Sequence, residues 1–561
     1  MSDRVLVIGL DGATWTVLSP WIEDGSLPNL ARLRAEGSWG NLMSTIPPLT
    51  APAWSTFLTG KNPGKHGVFH FVPLDDGAEA ESASANKPEV VDARSIKSST
   101  LWDILGHHGR KVGSINVPMS YPPRPVNGFM ITCLLTPPGA AVFTYPPELS
   151  RRLDGYQIDL DRFIDQKPFA RDEQGVHQKR IVKPSLQLVN EFYAMEEKRA
   201  ETALDLMGSQ PWDVFMVVFT ATDRMGHYLW PYHQTGDGTP EGEAIHQAIR
   251  RLYQRLDEHI GALVEKSGPG TSVIIMSDHG MGPIFSRNAH WNSWLYKNGY
   301  LTVTKSSGKT IDGWLLRLGI PRDWLRKMVR RIPGLAQSRV ASRARTAQTA
   351  PIDYRGSRAS YARIFDPVGG IFINATGKER EQLVTELMAR VRELRDPVTG
   401  KPIVREVFRR EECYHGPHVQ GLPDIILLMH PEYGSSDRLS NYSTIVTDRP
   451  QISDPGGHHI EGIFIARGPE IVHTPDPLAN LNITDVAPTI LYALGLPIPE
   501  DMDGSVLTQV FDPAGVRAQP VQFGPALGRW PSEMEAQPLL EEMPSGEEVI
   551  LDRLRALGYV K

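Results

Sequence analysis

The sequence has little cysteine: its 561 residues include only Cys133 and Cys413. Two cysteines cannot build a framework of disulfide bonds or a zinc site of paired cysteines, and this usage fits a reducing compartment. If the chain binds metal ions, histidine and carboxylate side chains must therefore provide the ligands.

Long hydrophobic runs are also missing. The longest apolar stretches, such as Val214–Phe219, have the length of a strand, far below the ~20 residues that cross a bilayer. The early run Val5–Leu10 is too short for the core of a signal peptide and lacks a cleavage site. We therefore expect a soluble, cytoplasmic protein.

An excess of charge of one sign is absent as well. The 59 Lys and Arg residues nearly balance the 65 Asp and Glu residues, which gives a net charge of -6. This balance provides no electrostatic reason to expect a nucleic acid polymer as partner, whereas a nucleotide-sized ligand stays open. The 50 glycines and 46 prolines exceed the usual share and indicate many loops in a globular chain.

Short β-rich apolar segments alternate with helical patterns along the chain. Helical spacing is clearest at Gln178–Met207 and Glu241–Lys266. The apolar segments lack polar alternation, which is typical of strands covered on both faces. These segments are Val5–Leu10, Val112–Val117, Val214–Phe219, Ser272–Met276, Asp424–Met429 and Gly462–Ala466. The alternation predicts an α/β fold with a doubly wound sheet.

Two stretches interrupt this rhythm. Asp75–Ser99 is poor in apolar residues and predicts a surface loop, and the region from about Val303 to Tyr414 carries its own strand, helix and turn. We interpret the second region as an inserted cap. The predicted domains are a first part of the catalytic core at 1–301, the cap at 302–413, a second part of the core at 414–510 and a C-terminal extension at 511–561.

The cap contains a basic amphipathic segment, Ile320–Arg345. Such a segment can be a solvated face of the cap, can close over a phosphate ligand, or can lie on an anionic membrane surface. The solvated face is the simplest interpretation, and peripheral membrane contact stays an alternative. The last residues, Glu547–Lys561, predict a short amphipathic helix that packs on the core or on a partner; the sequence does not indicate the oligomeric state.

Acidic and histidine side chains stand at the ends of four predicted strands. Ligands of open α/β sheets bind beyond the strand ends. A single Asp or His there is commonly a turn residue, but three carboxylates and three imidazoles together could hold two divalent ions. The six residues are Asp11, Asp223, His227, Asp278, His279 and His458. Mixed ligands of this kind suit zinc best, with manganese as the competitor, and two metal ions can support phosphoryl transfer.

Thr50 is the candidate nucleophile. It precedes Ala51, Pro52 and Ala53 and an apolar run to Leu58, which predicts a helix with threonine at the N-cap and proline in the first turn. Its hydroxyl either simply caps this helix or, beside metal ions, attacks a substrate. A helix N-terminus favours an alkoxide and a phosphate oxygen, and a metal ion on the hydroxyl would complete its activation.

These segments, in this order, resemble the alkaline phosphatase superfamily and, within it, the type I phosphodiesterase / nucleotide pyrophosphatase family. The resemblance rests on VIGLDGATW, PPLTAPAWSTFLTGKNPGKHG, Asp223–His227, Ser277–Met281, GGHHIEGIFIARGP and Asn482–Gly504. It implies an alkaline-phosphatase-like αβα sandwich with two metal ions. One ion is held by Asp11, Asp278, His279 and the Thr50 oxygen, and the other by Asp223, His227 and His458.

The resemblance also implies which of two adjacent histidines is the ligand, and it implies a mechanism. His458 is preferred to His459 because family members place the ligand four residues before the glycine that starts the next strand, here Gly462. In the implied mechanism, Thr50 attacks phosphorus and forms a covalent phosphothreonine, which is then hydrolysed.

The sequence differs from the family's pattern in the segment after Gly67. Nucleotide pyrophosphatases of this family have an asparagine there that helps to hold the phosphoryl oxygen, but this chain continues with Val68, Phe69, His70 and Phe71. Candidates to replace it in substrate binding are Lys61, Lys65, His70 and the Ala51 N–H. Neither cysteine stands in the CxPSR-like motif of the superfamily's sulfatases, which argues against a sulfatase.

The sequence therefore predicts a two-metal hydrolase of small-molecule phosphate esters, of the phosphodiesterase or nucleotide pyrophosphatase type. One alternative is a phosphomonoesterase or phosphomutase on the same site. A second is an enzyme that hydrolyses or transfers phospho-headgroups at a membrane surface. A non-catalytic binding protein is disfavoured because every ligand type and Thr50 are present.

Overall fold

A computed structural model describes residues 2–73, 90–160, 169–171, 177–179, 184–304, 313, 315–316, 318–321, 352–448, 455–531, 547–556 and 559–560. The predicted loop Asp75–Ser99 falls outside these residues as far as residue 89, and its described end includes a 3-10 turn at Ala93–Ser95. The basic segment Ile320–Arg345 lies outside the described residues from residue 322 onwards.

The strands of the described residues are numbered in chain order. They are β1 Arg4–Leu10, β2 Ser38–Met43, β3 Val112–Ile115, β4 Gly128–Ile131, β5 Thr144–Tyr145, β6 Phe169–Arg171, β7 His177–Lys179, β8 Val214–Phe219, β9 Thr271–Met276, β10 Gly280–Pro283, β11 Arg287–His290, β12 Ala359–Phe365, β13 Val368–Ile373, β14 Val404–Arg409, β15 Ile425–Met429, β16 Tyr433–Ser436, β17 Val446–Asp448, β18 Gly456–His459, β19 Glu461–Arg467, β20 Leu478–Asn482, β21 Ile498–Pro499 and β22 Phe523–Gly524.

The α-helices of the described residues are Trp15–Glu23, Pro28–Glu36, Thr50–Thr59, Pro63–His66, Leu101–His107, Leu186–Ser209, Ala221–Leu229, Pro240–Ser267, Trp291–Lys297, Gly377–Glu393, Arg410–Cys413, Val486–Ala493, Pro513–Ala518 and Glu547–Ala556. The helix predicted at Glu241–Lys266 is confirmed. The helix predicted from Gln178 begins later, at Leu186, because Ser185 caps it by accepting a hydrogen bond from the Leu188 N–H at 3.2 Å.

A nine-stranded sheet, ordered β20-β2-β19-β9-β1-β8-β3-β4-β5, forms the centre of the molecule. Its middle strands, from β9 to β4, are all parallel. Every residue of β8 and β9 is buried. Since successive side chains of a strand point to opposite faces, both faces of the sheet must be covered. The structure therefore confirms the doubly wound αβα sandwich.

A second, four-stranded antiparallel sheet, ordered β12-β13-β15-β14, carries the helix Gly377–Glu393, and we propose that it forms the inserted cap. The strand predicted at Asp424–Met429 is present as β15, Ile425–Met429. Its predicted place in the core is wrong, because β15 lies in this four-stranded sheet. Ile425, Leu427 and Met429 enter one apolar cluster, while Ile426 and Leu428 enter another. Both faces of β15 are thus covered, and its sequence cannot be distinguished from that of a strand in the central sheet.

The placement of β15 bears on the predicted domain boundaries. Helix Trp291–Lys297 already packs in the apolar cluster of the cap, and the chain rejoins the central sheet only at β19. We propose that the cap extends from about Arg287 to about Asp448, and that the second part of the core starts near Gly456 rather than at residue 414.

The helix Glu547–Ala556 packs on the core: Ile550, Leu551 and Leu554 are buried in the main apolar cluster. Of the two packing alternatives for this segment, the structure shows the contact with the core. No helix within the described ranges is both long and apolar enough to cross a membrane.

Candidate active site

The predicted ligands meet at one edge of the central sheet. β9, β1 and β8 are parallel neighbours, so that their carboxyl ends lie side by side. Asp11 follows β1, Asp223 lies in the helix that follows β8, and Asp278 and His279 follow β9. His458 reaches this edge from β18, where it pairs with Met281 of β10. All six residues that the sequence predicts as ligands are therefore neighbours.

The backbone approaches closely at Gly12, which directly follows Asp11. Gly12 has a φ of +65°, and a side chain there would meet Asp223 at 3.1 Å. Its N–H donates a hydrogen bond to Asp278 Oδ1 at 3.3 Å. Glycine is needed here both for this conformation and for space, because it lets two strand-end carboxylates approach.

Two groups of potential ligand atoms are present, and both are buried. In one, Asp223 Oδ1 lies 3.4 Å from His227 Nε2 and 3.5 Å from His458 Nε2, and the two histidine nitrogens lie 2.9 Å apart. In the other, His279 Nε2 lies 3.7 Å from Asp11 Oδ1 and 4.0 Å from Asp223 Oδ1. Asp278 Oδ2 lies 3.5 Å from the same His279 nitrogen. Asp223 stands between the two groups.

Three carboxylate oxygens at this point are buried without a hydrogen-bond partner among the described residues: Asp11 Oδ1, Asp223 Oδ1 and Asp278 Oδ2. They are the same oxygens that face His279 Nε2. A buried carboxylate oxygen without a partner is costly. Because these oxygens and the imidazole nitrogens converge, the donor set fits divalent cations.

The pKa shifts of the three carboxyl groups arise from their burial and from the charges around them. Burial, together with the charges of Asp278 and Asp223, raises the pKa of Asp11 well above its usual value. Burial and the charge of Asp223 raise the pKa of Asp278 to about 7. Burial also acts to raise the pKa of Asp223, but His227, His458 and Arg224 outweigh it and hold that pKa well below its usual value. The carboxylates therefore repel one another where no cation lies between them.

His279 and His458 are held in the neutral form that can bind a metal ion. Burial, followed by the charge of His279, lowers the pKa of His458 to about 3, and burial lowers the pKa of His279. His458 Nδ1 lies 2.8 Å from the Pro48 carbonyl oxygen, and His279 Nδ1 lies 3.0 Å from the Gly280 carbonyl oxygen. Because a carbonyl only accepts, each Nδ1 carries the proton and each Nε2 keeps a lone pair that faces the site.

Thr50 is the first residue of its helix and is fully buried. The N-cap is Leu49, and no side chain makes a capping hydrogen bond, so the structure does not support capping as the role of the hydroxyl. Its Oγ1 instead lies 3.5 Å from His279 Nε2. The hydroxyl therefore faces the ligand groups from the N-terminus of a helix, where backbone N–H groups favour an anion.

The three side chains predicted to bind substrate divide into two sets. The Lys61 and Lys65 ammonium groups form ion pairs with Asp501 and Asp503, and Lys61 is buried in this contact. Both lysines attach the loop after the Thr50 helix to the segment 501–503, and we do not retain them as substrate-binding residues.

His70 lies nearer to the ligands. Its ring centroid is 6.3 Å from that of Phe365, at the end of cap strand β12. The Phe365 ring in turn lies 4.9 Å from that of His458. The cap and the segment after Gly67 therefore meet beside the ligands, and Phe365 is a residue of this surface that sequence reasoning missed.

Sequence reasoning also missed the residues that surround Asp223. Its Oδ2 accepts hydrogen bonds from Arg224 Nη1 at 2.6 Å and from the Tyr559 hydroxyl at 2.9 Å. Arg224 Nη2 also donates to Asp159 Oδ2 at 2.9 Å. An arginine directly after a ligand aspartate was a visible signal, whereas no local pattern connects residue 559 with residue 223.

The crowding of carboxylates predicts an unusual effect of Asp278→Asn. In metal-free protein above pH 7, where Asp278 is ionised, this change removes a buried charge next to that of Asp223, so we expect the midpoint of thermal unfolding to rise by at least about 2 °C. With zinc present, the parent should be stabilised by the bound ion more than the variant is. Thermal unfolding with a chelator and with zinc tests both expectations; a lower midpoint of the variant in chelator would contradict the first.

The chain was compared with known proteins by sequence and by structure. The sequence pattern of the family described as type I phosphodiesterase / nucleotide pyrophosphatase matches residues 5–448. The matched region includes Asp11, Thr50, Asp223 and the Asp278–His279 pair, and it ends before His458. None of the curated proteins matches this chain in a comparison of sequences.

Solved structures that match the chain include murine ectonucleotide pyrophosphatase / phosphodiesterase 5, an inactive form in complex with AMP. It is 15% identical, with 91% of this chain and 100% of that chain covered and a TM-score of 0.48. The human protein of the same name is 15% identical, with 92% and 99% covered and a TM-score of 0.45. Phosphonoacetate hydrolase from Sinorhizobium meliloti, in complex with phosphonoformate, is 14% identical, with 88% and 95% covered and a TM-score of 0.47.

Proposed function

Because the chain belongs to the type I phosphodiesterase / nucleotide pyrophosphatase family and is a phosphoester hydrolase, we propose that it cleaves small-molecule phosphodiesters through Thr50 with two divalent metal ions. The observation that carries the proposal is the convergence on His279 Nε2 of three carboxylate oxygens that have no hydrogen-bond partner among the described residues, beside the buried Thr50 hydroxyl. A nucleotide pyrophosphatase reaction is the closest variant of this activity.

The two groups of ligands support two ions. We propose that Asp223, His227 and His458 hold one ion, and that Asp11, Asp278, His279 and the Thr50 oxygen hold the other. Mixed imidazole and carboxylate ligands favour Zn²⁺, with Mn²⁺ as the competitor. When bound, such ions would favour the ionised hydroxyl of Thr50 and balance the negative charge of the phosphoryl group.

The residues of the chain then divide the reaction into two displacements. Thr50 Oγ attacks phosphorus in line, the bond to the leaving oxygen breaks, and phosphothreonine forms. The Ala51 N–H, in the first helical turn, is placed to donate to a phosphoryl oxygen. Water then attacks phosphorus from the side of His227 and His458, the bond to Thr50 breaks, and the hydroxyl is regenerated.

A panel of substrates tests this proposal. Purified protein, loaded with Zn²⁺ or Mn²⁺, is given an aryl phosphodiester, an aryl phosphomonoester, a nucleoside triphosphate and an aryl sulfate. We expect the largest kcat/KM for the phosphodiester or the triphosphate. A clear preference for the phosphomonoester would favour the alternative of a monoesterase or phosphomutase, and activity that survives complete removal of metal would contradict the role of the ions.

The two neighbouring histidines of β18 should behave differently. His458 faces His227 and stacks on His279 with ring centroids 3.6 Å apart, whereas His459 is the next residue of the strand and points to its other side. We expect His458→Ala to lose about one bound ion and at least about 100-fold in kcat/KM, and His459→Ala to change either quantity only slightly. Metal analysis and steady-state kinetics measure both; the reverse ranking would show that the ligand is His459.

A further inference from the structure

The tail segment, which is the described residues 547–556 and 559–560, packs on the core beside the site. Ile550, Leu551 and Leu554 belong to the main apolar cluster. Arg553 is also buried, and its guanidinium donates hydrogen bonds to the carbonyl oxygens of Leu134 and Thr136. A buried arginine that satisfies two carbonyls fixes both the position and the direction of the helix.

Beyond the helix, the chain returns to the site at Tyr559. The Tyr559 N–H donates to the Leu554 carbonyl oxygen at 2.9 Å. The Tyr559 ring is stacked on Phe71, with centroids 5.0 Å apart and an angle of 15° between the planes. It makes T-shaped contacts with the rings of His227 and His458, whose centroids lie 5.9 Å and 5.7 Å from its own. Only 1% of Tyr559 is exposed, so the ring has one packed position.

The phenol has defined hydrogen-bond roles. Arg224 Nη1 lies 3.1 Å from the Tyr559 oxygen and can only donate, so the phenol accepts from it. The single phenolic proton is then directed to Asp223 Oδ2, 2.9 Å away. The tail segment thus reaches Asp223 directly.

This arrangement decides which oxygen of Asp223 faces the ligand groups. Oδ2 is engaged by Arg224 and Tyr559, whereas Oδ1 is the buried oxygen without a partner among the described residues, 3.4 Å from His227 Nε2 and 3.5 Å from His458 Nε2. Groups that hydrogen-bond a metal ligand orient it, and their loss typically costs about 10- to 100-fold in metal affinity or activity.

We propose that Tyr559 is a positioning residue of the site: the phenol of Tyr559 binds Asp223 Oδ2 and thereby holds Asp223 Oδ1 toward the metal ion. The inference rests on the proposed function for the identity of the site. The tail segment would then contribute to the active site as well as packing on the core.

The test uses the full chain with Tyr559→Phe, which removes the hydroxyl and keeps the stacked ring. The matched control is Tyr433→Phe, because Tyr433 is equally buried and its hydroxyl reaches Asp396 Oδ2 at 3.3 Å, in the cap. For Tyr559→Phe we expect Zn²⁺ affinity, from competition with a chromophoric chelator, to fall at least about 10-fold. We expect kcat for an aryl phosphodiester to fall by a similar factor and KM to change less than about threefold.

The control should leave both quantities at the parent values. An unchanged Zn²⁺ affinity and kcat in Tyr559→Phe would overturn the proposal. A higher kcat/KM in Tyr559→Ala would overturn it as well, because the tail segment would then be an obstruction. Replacement of Zn²⁺ by Co²⁺ gives an independent readout: the visible spectrum should change in Tyr559→Phe but not in the control, and identical spectra would contradict an effect on Asp223.

The experiments distinguish failure of the proposed function from failure of the inference about Tyr559. If the parent hydrolyses no phosphodiester, the proposed function fails, while the Zn²⁺ affinities and Co²⁺ spectra still measure the effect of Tyr559 on the ligands. If the parent is active and Tyr559→Phe matches it in every readout, the inference fails and the proposed function stands.

Discussion

Thr50→Ala is expected to lower kcat for an aryl phosphodiester by at least about 1,000-fold. The change removes the oxygen that attacks phosphorus, and no other hydroxyl of the described residues is placed 3.5 Å from His279 Nε2 in the same way. Because Thr50 makes no capping hydrogen bond, the fold should tolerate alanine. Kinetics with metal-loaded protein, together with thermal unfolding, measure both expectations.

Two further variants make this result specific. Thr50→Ser keeps a hydroxyl and should retain a measurable part of the activity. Thr59→Ala is the control, since Thr59 is buried in the same helix but donates its hydroxyl to the Ser55 carbonyl oxygen, at 2.8 Å. If Thr50→Ala keeps activity close to that of the parent, Thr50 is not the nucleophile.

Asp223→Asn should have an effect of similar size for a different reason. Asp223 Oδ1 is within reach of His227, His458 and His279, so that it belongs to both groups of ligand atoms. An amide there removes a charge that would ligate one of the proposed ions and that lies beside the ligands of the other. We expect less than one ion per chain where the parent holds about two, and a loss of at least about 1,000-fold in kcat.

Metal analysis after dialysis against buffered Zn²⁺ tests this expectation, with kinetics on the same samples. Asp257→Asn is a suitable control, because Asp257 is equally buried but accepts hydrogen bonds from the N–H groups of Asn29 and Leu30, at 2.9 Å and 2.7 Å, at the start of a helix. It should bind metal like the parent. Full metal content in Asp223→Asn would show that the two groups of ligands do not depend on this residue.

Much of the site could be predicted because its residues follow buried strands. The apolar runs before Asp11, Asp223 and Asp278 are visible in the sequence, and a parallel sheet brings the carboxyl ends of neighbouring strands to one edge. His458 was predicted from a motif instead, and it reaches the site through an antiparallel pair with β10. The central sheet was predictable for the same reason, since strands covered on both faces are continuous apolar runs.

The remaining features depend on contacts between distant parts of the chain. The membership of β15 in the cap sheet is invisible in the sequence, because its run Ile425–Met429 is as apolar as a core strand. Lys61 and Lys65 stand beside the Thr50 helix in sequence, but their partners Asp501 and Asp503 come from a segment more than 400 residues later. Tyr559 reaches Asp223 across a similar distance, and no local pattern predicts either contact.

The central claim is that phosphoryl transfer passes through Thr50. Metal-loaded enzyme is mixed with an aryl phosphodiester, quenched in acid during turnover, digested and analysed by mass spectrometry. We expect the peptide with Thr50 to carry, on Thr50 itself, the phosphoryl group with the ester substituent that remains after the aryl alcohol has left, and we expect Thr50→Ala to lack this adduct. Steady turnover of the parent, with the adduct on another residue or with none on any peptide under conditions that trap such esters, would contradict it.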